Sequence, residues 1–346
     1  MSYLIKVPSY VEFLKKVYSL ISKISNDLLI SEEKIKNVID RSSLLYHEFT
    51  IVKNNKSRVI HNPAKELKAI QIYLTNMFIK QAPIHDCAFA YREGISIKNC
   101  VEKHIDSNYF FLTDFKDFFH SIMFDDILRF LKLTNISQYL SRDEDCSDFA
   151  KVMCRYKRLT IGSPSSPSLS NALCFRLDEV INRFCCNNNL IYSRYADDIC
   201  ISSENKINCN LVRKSILSSI QEANVIRRLR VNPSKTRTLN RAKRVKILGL
   251  NITSDRKISI GRSKKREIKS MVNMWKYNRI NNIERSYLSG YISYCLAVEE
   301  DFVMGLYQKY GSTLINRIRE YNASYAREKN LLLENSLMDI NHSDYN

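Results

Sequence analysis

The sequence predicts an α+β fold: a small sheet with acidic residues at its strand ends, helices backing it, and a helical region after it. Three observations carry this. Tyr195-Ala196-Asp197-Asp198 lies between two apolar, β-favouring segments, Leu190 to Tyr192 and Ile199 to Ile201, the pattern of a tight hairpin with its acids at the tip. The apolar run Tyr109-Phe110-Phe111-Leu112 leads to a third acid, Asp114. From about residue 262 the apolar spacing turns helical and stays so to about 335. Paired aspartates also occur in solvated turns. Here both flanks are apolar, so the acids interrupt a buried hairpin.

The remaining elements follow in order. Residues 1 to about 45 read as helices, with Ser31 placed to cap one whose first turn holds Glu32 and Glu33. Residues 49 to 61 alternate as two strands around Asn54-Asn55-Lys56. After Pro63, Leu67, Ile70, Leu74, Met77 and Phe78 mark the buried stripe of a helix. Helical segments fill 125 to 157. Ser163-Pro164-Ser165-Ser166-Pro167-Ser168 then gives a turn and a helix start, since Pro fits a first turn and Ser caps well. That helix runs to about Phe184. Beyond the acidic hairpin come a helix near 206 to 223, strands near 228 to 231 and 245 to 252, the helical region, and a polar tail.

Composition narrows the function. The 346 residues are 45% hydrophobic, enough for a substantial core. With 7 Gly and 6 Pro, no repeat or low-complexity linker separates independent domains. The net charge of +18 implies a polyanionic partner. No run of about 18 apolar residues exists and the N-terminus lacks a signal-peptide layout, so nucleic acid is favoured over a membrane. Basic residues crowd the stretch from Arg227 to Lys269, with Asp255 and Glu267 almost the only acids. Such a run can be a solvated face, but Tyr and Trp interleave its later part. Ten cysteines form no CxxC pair, several lie in apolar contexts, and a reduced, cytoplasmic compartment fits. Six scattered histidines suggest no metal cluster.

Carboxylate oxygens are the ligands Mg²⁺ prefers, and three on neighbouring strand ends can hold two ions. Such a pair activates an attacking hydroxyl and stabilises a leaving pyrophosphate, which is the chemistry of a polymerase palm. The order Arg58, Pro63, Leu67-Lys68, LTDFKDFF, LTIGSPSSPSLSN, YADD, VNPSKT and ILGL resembles bacterial retron reverse transcriptases over roughly residues 30 to 320. The resemblance implies a right-hand polymerase: N-terminal helices and fingers over 1–105, a palm over 106–255 with part of the fingers inserted around 125–170, and a helical thumb with a polar tail over 256–346.

It further implies roles residue by residue. Asp114 and Asp197 match the acids that bind both ions, and Asp198 the second hairpin acid. Phe119, five residues after Asp114, matches the bulky ring under the incoming sugar, a reading favoured over the core aromatic that its neighbours Phe115 and Phe118 also allow. Gly162 would let backbone approach nucleotide or template. The family usually writes LPQG there, whereas this chain has Leu159-Thr160-Ile161-Gly162, which replaces a polar nucleotide contact. Lys235 matches a lysine that serves the pyrophosphate or triphosphate, or is one more solvated lysine. Arg58 matches a triphosphate clamp, with Lys56 an alternative; the Arg fork favours Arg58. His104 stands where the family's NAxxH pattern places its histidine, as an RNA contact or a hydrogen-bonded structural residue. Gly249 is all that remains of a VTG triplet. Trp275, Tyr277, Tyr287, Tyr291 and Tyr294 could stack on unpaired bases, while Leu288, Ile292 and Cys295 read as core.

The implied activity is synthesis of branched, RNA-linked single-stranded DNA on a cognate structured RNA, with Mg²⁺ and dNTPs, beside an effector protein in antiphage defence. Two rivals are an intron-type or diversity-generating reverse transcriptase and a non-catalytic RNA-binding scaffold. The first normally carries a longer maturase segment after the thumb; the second is disfavoured because all three acids are present.

Overall fold

The computed structural model describes residues 19–53, 56–134, 136, 138–140 and 142–323. The helices expected before residue 19, the turn at Asn54-Asn55, the helical stretch past 323 and the tail lie outside the described residues. The chain divides into two compact units after Leu239.

The first unit opens with α1 (Leu20–Leu28) and α2 (Glu32–Asp40). Ser31 precedes α2 as expected but makes no capping bond; Glu32 and Glu33 meet the positive helix end instead. Strands β1 (Tyr46–Lys53) and β2 (Lys56–Pro63) pair antiparallel, Ile51 opposite Arg58. Helix α3 (Lys65–Met77) buries Leu67, Ile70 and Leu74, the predicted stripe. Then come α4 (Ile97–Glu102), β3 (Tyr109–Asp114), α5 (Phe118–Ser121), α6 (Phe124–Thr134), α7 (Asp143–Met153), α8 (Ser166–Leu173) and α9 (Phe175–Asn187). Strands β4 (Ile191–Tyr195) and β5 (Asp198–Ser203), helix α10 (Cys209–Ala223) and strand β6 (Arg237–Asn240) complete it.

The sheet order is β4-β5-β3-β6. Two expectations shift. The helix predicted from 166 to 184 breaks at Cys174 into α8 and α9. The strand expected at 228–231 contracts to one bridge between Val231 and Phe115, and β6 takes the edge. Pro233 explains this, because it lacks an N–H and opens a 3-10 turn that ends the ladder.

One buried polar network fixes the acidic hairpin. Arg194 in β4 and Asp178 in α9 are both 0% exposed. The guanidinium donates to the two Asp178 oxygens at 2.8 and 2.6 Å, to Asn171 Oδ1 at 3.1 Å and to the Ala196 carbonyl at 3.0 Å. The Tyr192 hydroxyl donates to Asp178 at 2.7 Å. Asn171 in α8 also donates to the Ala90 carbonyl at 2.7 Å, and the Arg194 backbone pairs with Cys87 and Phe89. Burial works against the Arg194 charge, and attraction to Asp178 outweighs it, holding the guanidinium above its ordinary range. The β4–β5 turn, the loop at 87–90 and two helices thus share one charged anchor.

A second tether joins the β1–β2 hairpin to the start of α8. The His61 N–H donates to the Ile161 carbonyl at 2.8 Å, and a His61 ring nitrogen meets the Thr160 hydroxyl at 2.6 Å. Gly162, at φ 107°, lies so close that a Cβ would sit 2.6 Å from the His61 carbonyl oxygen. Buried Gln71 braces the same segment, accepting from Ser163 at 3.0 Å and donating to the Val152 carbonyl at 2.8 Å.

The second unit carries the three-stranded antiparallel sheet β7 (Val245–Ile247), β8 (Leu250–Ile252) and β9 (Ile258–Ser259). Helices α11 (Arg262–Lys276), α12 (Asn282–Val298) and α13 (Glu300–Tyr310) follow, with further helix over 312–323. Leu288, Ile292 and Cys295 are core, as predicted. Trp275 is core too, packed edge-on against Tyr321, so it offers no free face for a base. Among the described residues no helix is long and apolar enough to cross a membrane. All ten cysteines are free thiols.

Removing one partner of a buried ion pair strands the other. Asp178→Asn should therefore lower stability by about 3–5 kcal/mol, read from the urea midpoint. Replacing both partners with apolar residues, Arg194→Met with Asp178→Leu, should recover much of that loss. A double variant as unstable as the single would contradict this.

Candidate active site

Strand pairing brings the acids together. Asp114 ends β3 directly opposite Asp198 in β5, and Asp198 faces Tyr195 across the hairpin. Ala196, at φ 57°, makes the sharp turn that lifts Asp197 between the strands. The Phe115 N–H donates to the Asp197 carbonyl at 3.0 Å, tying the turn to the residue after Asp114. On the other edge of β3, Asn232 N–H donates to the Asp114 carbonyl at 2.8 Å, and the Thr113 and Thr236 hydroxyls meet at 2.8 Å. These bonds set Lys235 beside the carboxylates, its ammonium paired with Asp114 Oδ2.

The electrostatics are those of crowded like charges. Burial, and then the charges of Asp197 and Asp114, push the Asp198 carboxyl up to about 6. Burial and the Asp114 charge also raise Asp197, while Lys235 and Arg58 oppose the rise. Arg58, on exposed β2, is therefore within electrostatic reach of the acidic turn. Asp114 is 1% exposed, and its Oδ1 accepts no hydrogen bond. A buried carboxylate oxygen without a donor is unfavourable by about 1–3 kcal/mol, so it suits a cation.

The donor set fits hard divalent ions: three carboxylates, oxygen only. Among the described residues no group of three or more His, Cys, Asp or Glu side chains is already disposed as a metal site. At Asp114, Oδ2 is paired with the Lys235 ammonium.

The other sequence candidates divide. Phe119 is half-buried on α5, its ring 5.5 Å from Phe118 and 6.5 Å from Tyr91. Tyr91 escaped the sequence reading. It is 45% exposed, and its hydroxyl is pushed up by burial and by the Asp197 charge, which places it near the acids. No periodicity marks it, since it lies in a loop at φ 59°. The close approach at Gly162 is made by the chain's own β2 strand. Gly249, at φ 89°, follows Leu248 at φ 51° in the β7–β8 turn, a conformation that favours Gly.

Of the two readings of His104, the structure shows the hydrogen-bonded structural one. It is 0% exposed, its two ring nitrogens 2.6 Å from the Ser202 and Ser193 hydroxyls. Burial pushes its pKa down to about 3, so it is a neutral bridge between β4 and β5, not an RNA contact. Arg194, Asp178 and Asn171 were missed as supports of the site. A charged residue inside the apolar strand Tyr192 to Tyr195 is the signal that could have found Arg194.

The sign of the Asp198 shift gives a test. A carboxyl raised in the folded state binds its proton better folded than unfolded, so its contribution to stability falls as pH rises from 3.8 to about 6. In divalent-free buffer, Asp198→Asn should therefore raise Tm at neutral pH and have less effect near pH 4. Solvent exposure of the side chain damps the size but not the direction. An equal effect at both pH values would refute the assignment.

Comparisons with known proteins agree with this geometry. Residues 51–252 match the family described as reverse transcriptase (RNA-dependent DNA polymerase). The retron Ec83 reverse transcriptase of Escherichia coli is 29% identical over 278 residues, 77% of this chain and 86% of the relative. The retron Ec86 reverse transcriptase of the same organism is 26% identical over 300 residues, 84% and 90%. A fainter likeness in structure is to telomerase from Candida albicans, with TM-score 0.43 and 12% identity, covering 84% of this chain and 59% of that one. The chain belongs to the reverse transcriptase family, an RNA-directed DNA polymerase of right-hand fold, and the curated proteins it resembles are bacterial retron enzymes.

Proposed function

We propose that this chain copies a cognate structured non-coding RNA into single-stranded DNA that stays branched to its RNA, using two Mg²⁺ ions held by Asp114, Asp197 and Asp198. The observation that carries the reading is the convergence of those three carboxylates on adjoining strand ends, with one Asp114 oxygen buried and unpartnered. When bound, divalent cations lower the pKa of the primer hydroxyl and neutralise charge on the triphosphate. The protein's own task is positioning and charge.

Each residue has a part. Asp114 and Asp197 would hold the ions and Asp198 would add charge. Lys235, paired with Asp114 in this structure, would offer its proton and charge to the pyrophosphate. Arg58 clamps the triphosphate with its planar fork. Phe119 lies under the sugar, where its ring crowds a ribose 2′-hydroxyl, and Tyr91 flanks it. Gly162 acts indirectly by letting the β1–β2 hairpin close on the 160–163 segment. Gly249 shapes the β7–β8 turn, presented to the RNA. In the same reading, fingers, palm and thumb span 1–105, 106–255 and 256–346.

The likeness to retron enzymes supports the retron assignment. From it follow the partners: the cognate RNA and its DNA product, dNTPs, and an effector protein of an antiphage system. A cytoplasmic setting accords with ten free thiols.

Asp197→Asn should abolish RNA-templated DNA synthesis while RNA binding persists; retained primer extension in a metal-supplemented assay would remove Asp197 from the chemistry. Nucleic acid that copurifies with the chain should contain RNA covalently joined to DNA. Recovery of unlinked RNA alone, from cells making an active chain, would sink the retron reading.

A further inference from the structure

Two tyrosines adopt a positive φ, Tyr91 at 59° and Tyr156 at 47°. A bulky side chain is disfavoured there, because its Cβ crowds the backbone. Tyr156 shares its conformation with Lys157, at φ 63°, in the two-residue turn that joins Arg155 to Arg158. Hairpin geometry accounts for it. Tyr91 stands between a single bridge at Ala88 and helix α4, with no hairpin to require it. It follows Ala90 in a turn, at a backbone angle where Gly or Asn is the ordinary choice.

Strain of this kind persists only where the surroundings over-determine it. Three bonds pin the chain on either side of Tyr91. Buried Asn171 donates to the Ala90 carbonyl at 2.7 Å, the Phe89 N–H donates to the Arg194 carbonyl at 2.9 Å, and Arg92 Nη1 donates to the Ala88 carbonyl at 3.2 Å. The first two of these reach back to the buried Arg194–Asp178 pair.

What the strained residue gains is a place beside Phe119. The Phe119 ring meets Phe118 at 5.5 Å and Tyr91 at 6.5 Å, tilted 38° from the latter. Phe118 is buried and stacked on Phe115 at 5.8 Å, so it supports Phe119 from the interior. Half-exposed Tyr91 supports it from the solvent side. Helix α5 cannot hold the ring by itself, being four residues long and entered through Asp117 at φ 49°. The Asp197 charge is felt at the Tyr91 hydroxyl, so Tyr91 stands within reach of both Phe119 and the acidic turn. A half-exposed tyrosine can be mere cover for the core, but cover does not require a left-handed backbone.

We propose that Tyr91 is a positioning residue for sugar selection: its ring blocks the swing of Phe119 away from the sugar, so that two rings, not one, exclude ribonucleotides. The proposal rests on the reading of Phe119 as the ring under the incoming sugar. Ribose and deoxyribose differ there by one oxygen, and a displacement of about 1 Å is enough to lose such discrimination. A ring on one helical turn reaches that displacement by a small change of rotamer, unless a neighbour stands in the way.

In the test, the full chain extends an oligo(dG) primer on poly(rC) with Mg²⁺, and kcat/KM is measured for dGTP and for GTP. Tyr91→Ala should lower the dGTP-to-GTP ratio by about three- to tenfold, the population ratio between a ring on its rotamer and one about 30° off it. The change should enter through GTP. Tyr91→Gly relieves the backbone and should lower the ratio as much, which assigns the effect to the missing ring and not to strain. Tyr91→Phe keeps the ring and should restore the ratio. In a Phe119→Val background, Tyr91→Ala should change the ratio no further, because a residue that acts through Phe119 has nothing left to hold. Tyr156→Ala, removing the other strained tyrosine, should leave the ratio alone.

A ratio unchanged by Tyr91→Ala and Tyr91→Gly, while Phe119→Val lowers it, overturns the proposal and leaves Phe119 in its place under the sugar. An additive fall in the double variant also overturns it. So does an equal loss with dGTP and GTP, which would put Tyr91 in substrate binding. A ratio unchanged by Phe119→Val sinks the reading of Phe119 itself, and this proposal with it.

Discussion

The buried pair between Arg194 and Asp178 is the constraint on which the site depends. A guanidinium in the interior is tolerable only when its donors are met, and here Asp178, Asn171 and the Ala196 carbonyl meet them. That last bond reaches the residue before the acids. The same Asn171 holds Ala90, next to Tyr91, and the Arg194 backbone is bonded to the loop at 87–89. One charge therefore sets the pitch of the β4–β5 turn and places Tyr91 beside Phe119. A softer, apolar anchor would pack as well and specify less.

On this rigid base the carboxylates are held in tension. Burial, joined by the repulsion among three acids on neighbouring strand ends, raises both Asp197 and Asp198 above the ordinary carboxylate range. Lys235 relieves Asp114, and Arg58 and Arg237 temper the others through space. The chain's own cations thus stand in for part of the charge that divalent ions would bring. Preorganisation of this kind keeps reorganisation at the moment of reaction small.

Much of this was legible in the sequence, where local chemistry and pattern agree. The acidic hairpin, the strand ending at Asp114, the stripe of α3 and the proline-bearing start of α8 fell where predicted, because each is written in apolar periodicity or turn residues close together in the chain. The less legible parts depend on partners far apart. His104 looked available because a histidine's exposure is not encoded locally; two serines on β4 and β5 enclose it. The strand expected at 228–231 lost its ladder to Pro233. Gly162, read as a close approach to nucleotide or template, lies against the backbone of β2, about a hundred residues earlier.

The sequence by itself determined the chemistry: which side chains are acids, their placement at strand ends, the family motifs, and an excess of positive charge fit for a polyanion. Those follow from residue identity and short-range periodicity, which survive without knowledge of the fold. The tertiary structure decided which carboxylate is buried, which lysine answers it, and that Arg194 is an internal brace. Burial and pairing are set by packing between distant segments, and a one-dimensional pattern does not contain those distances.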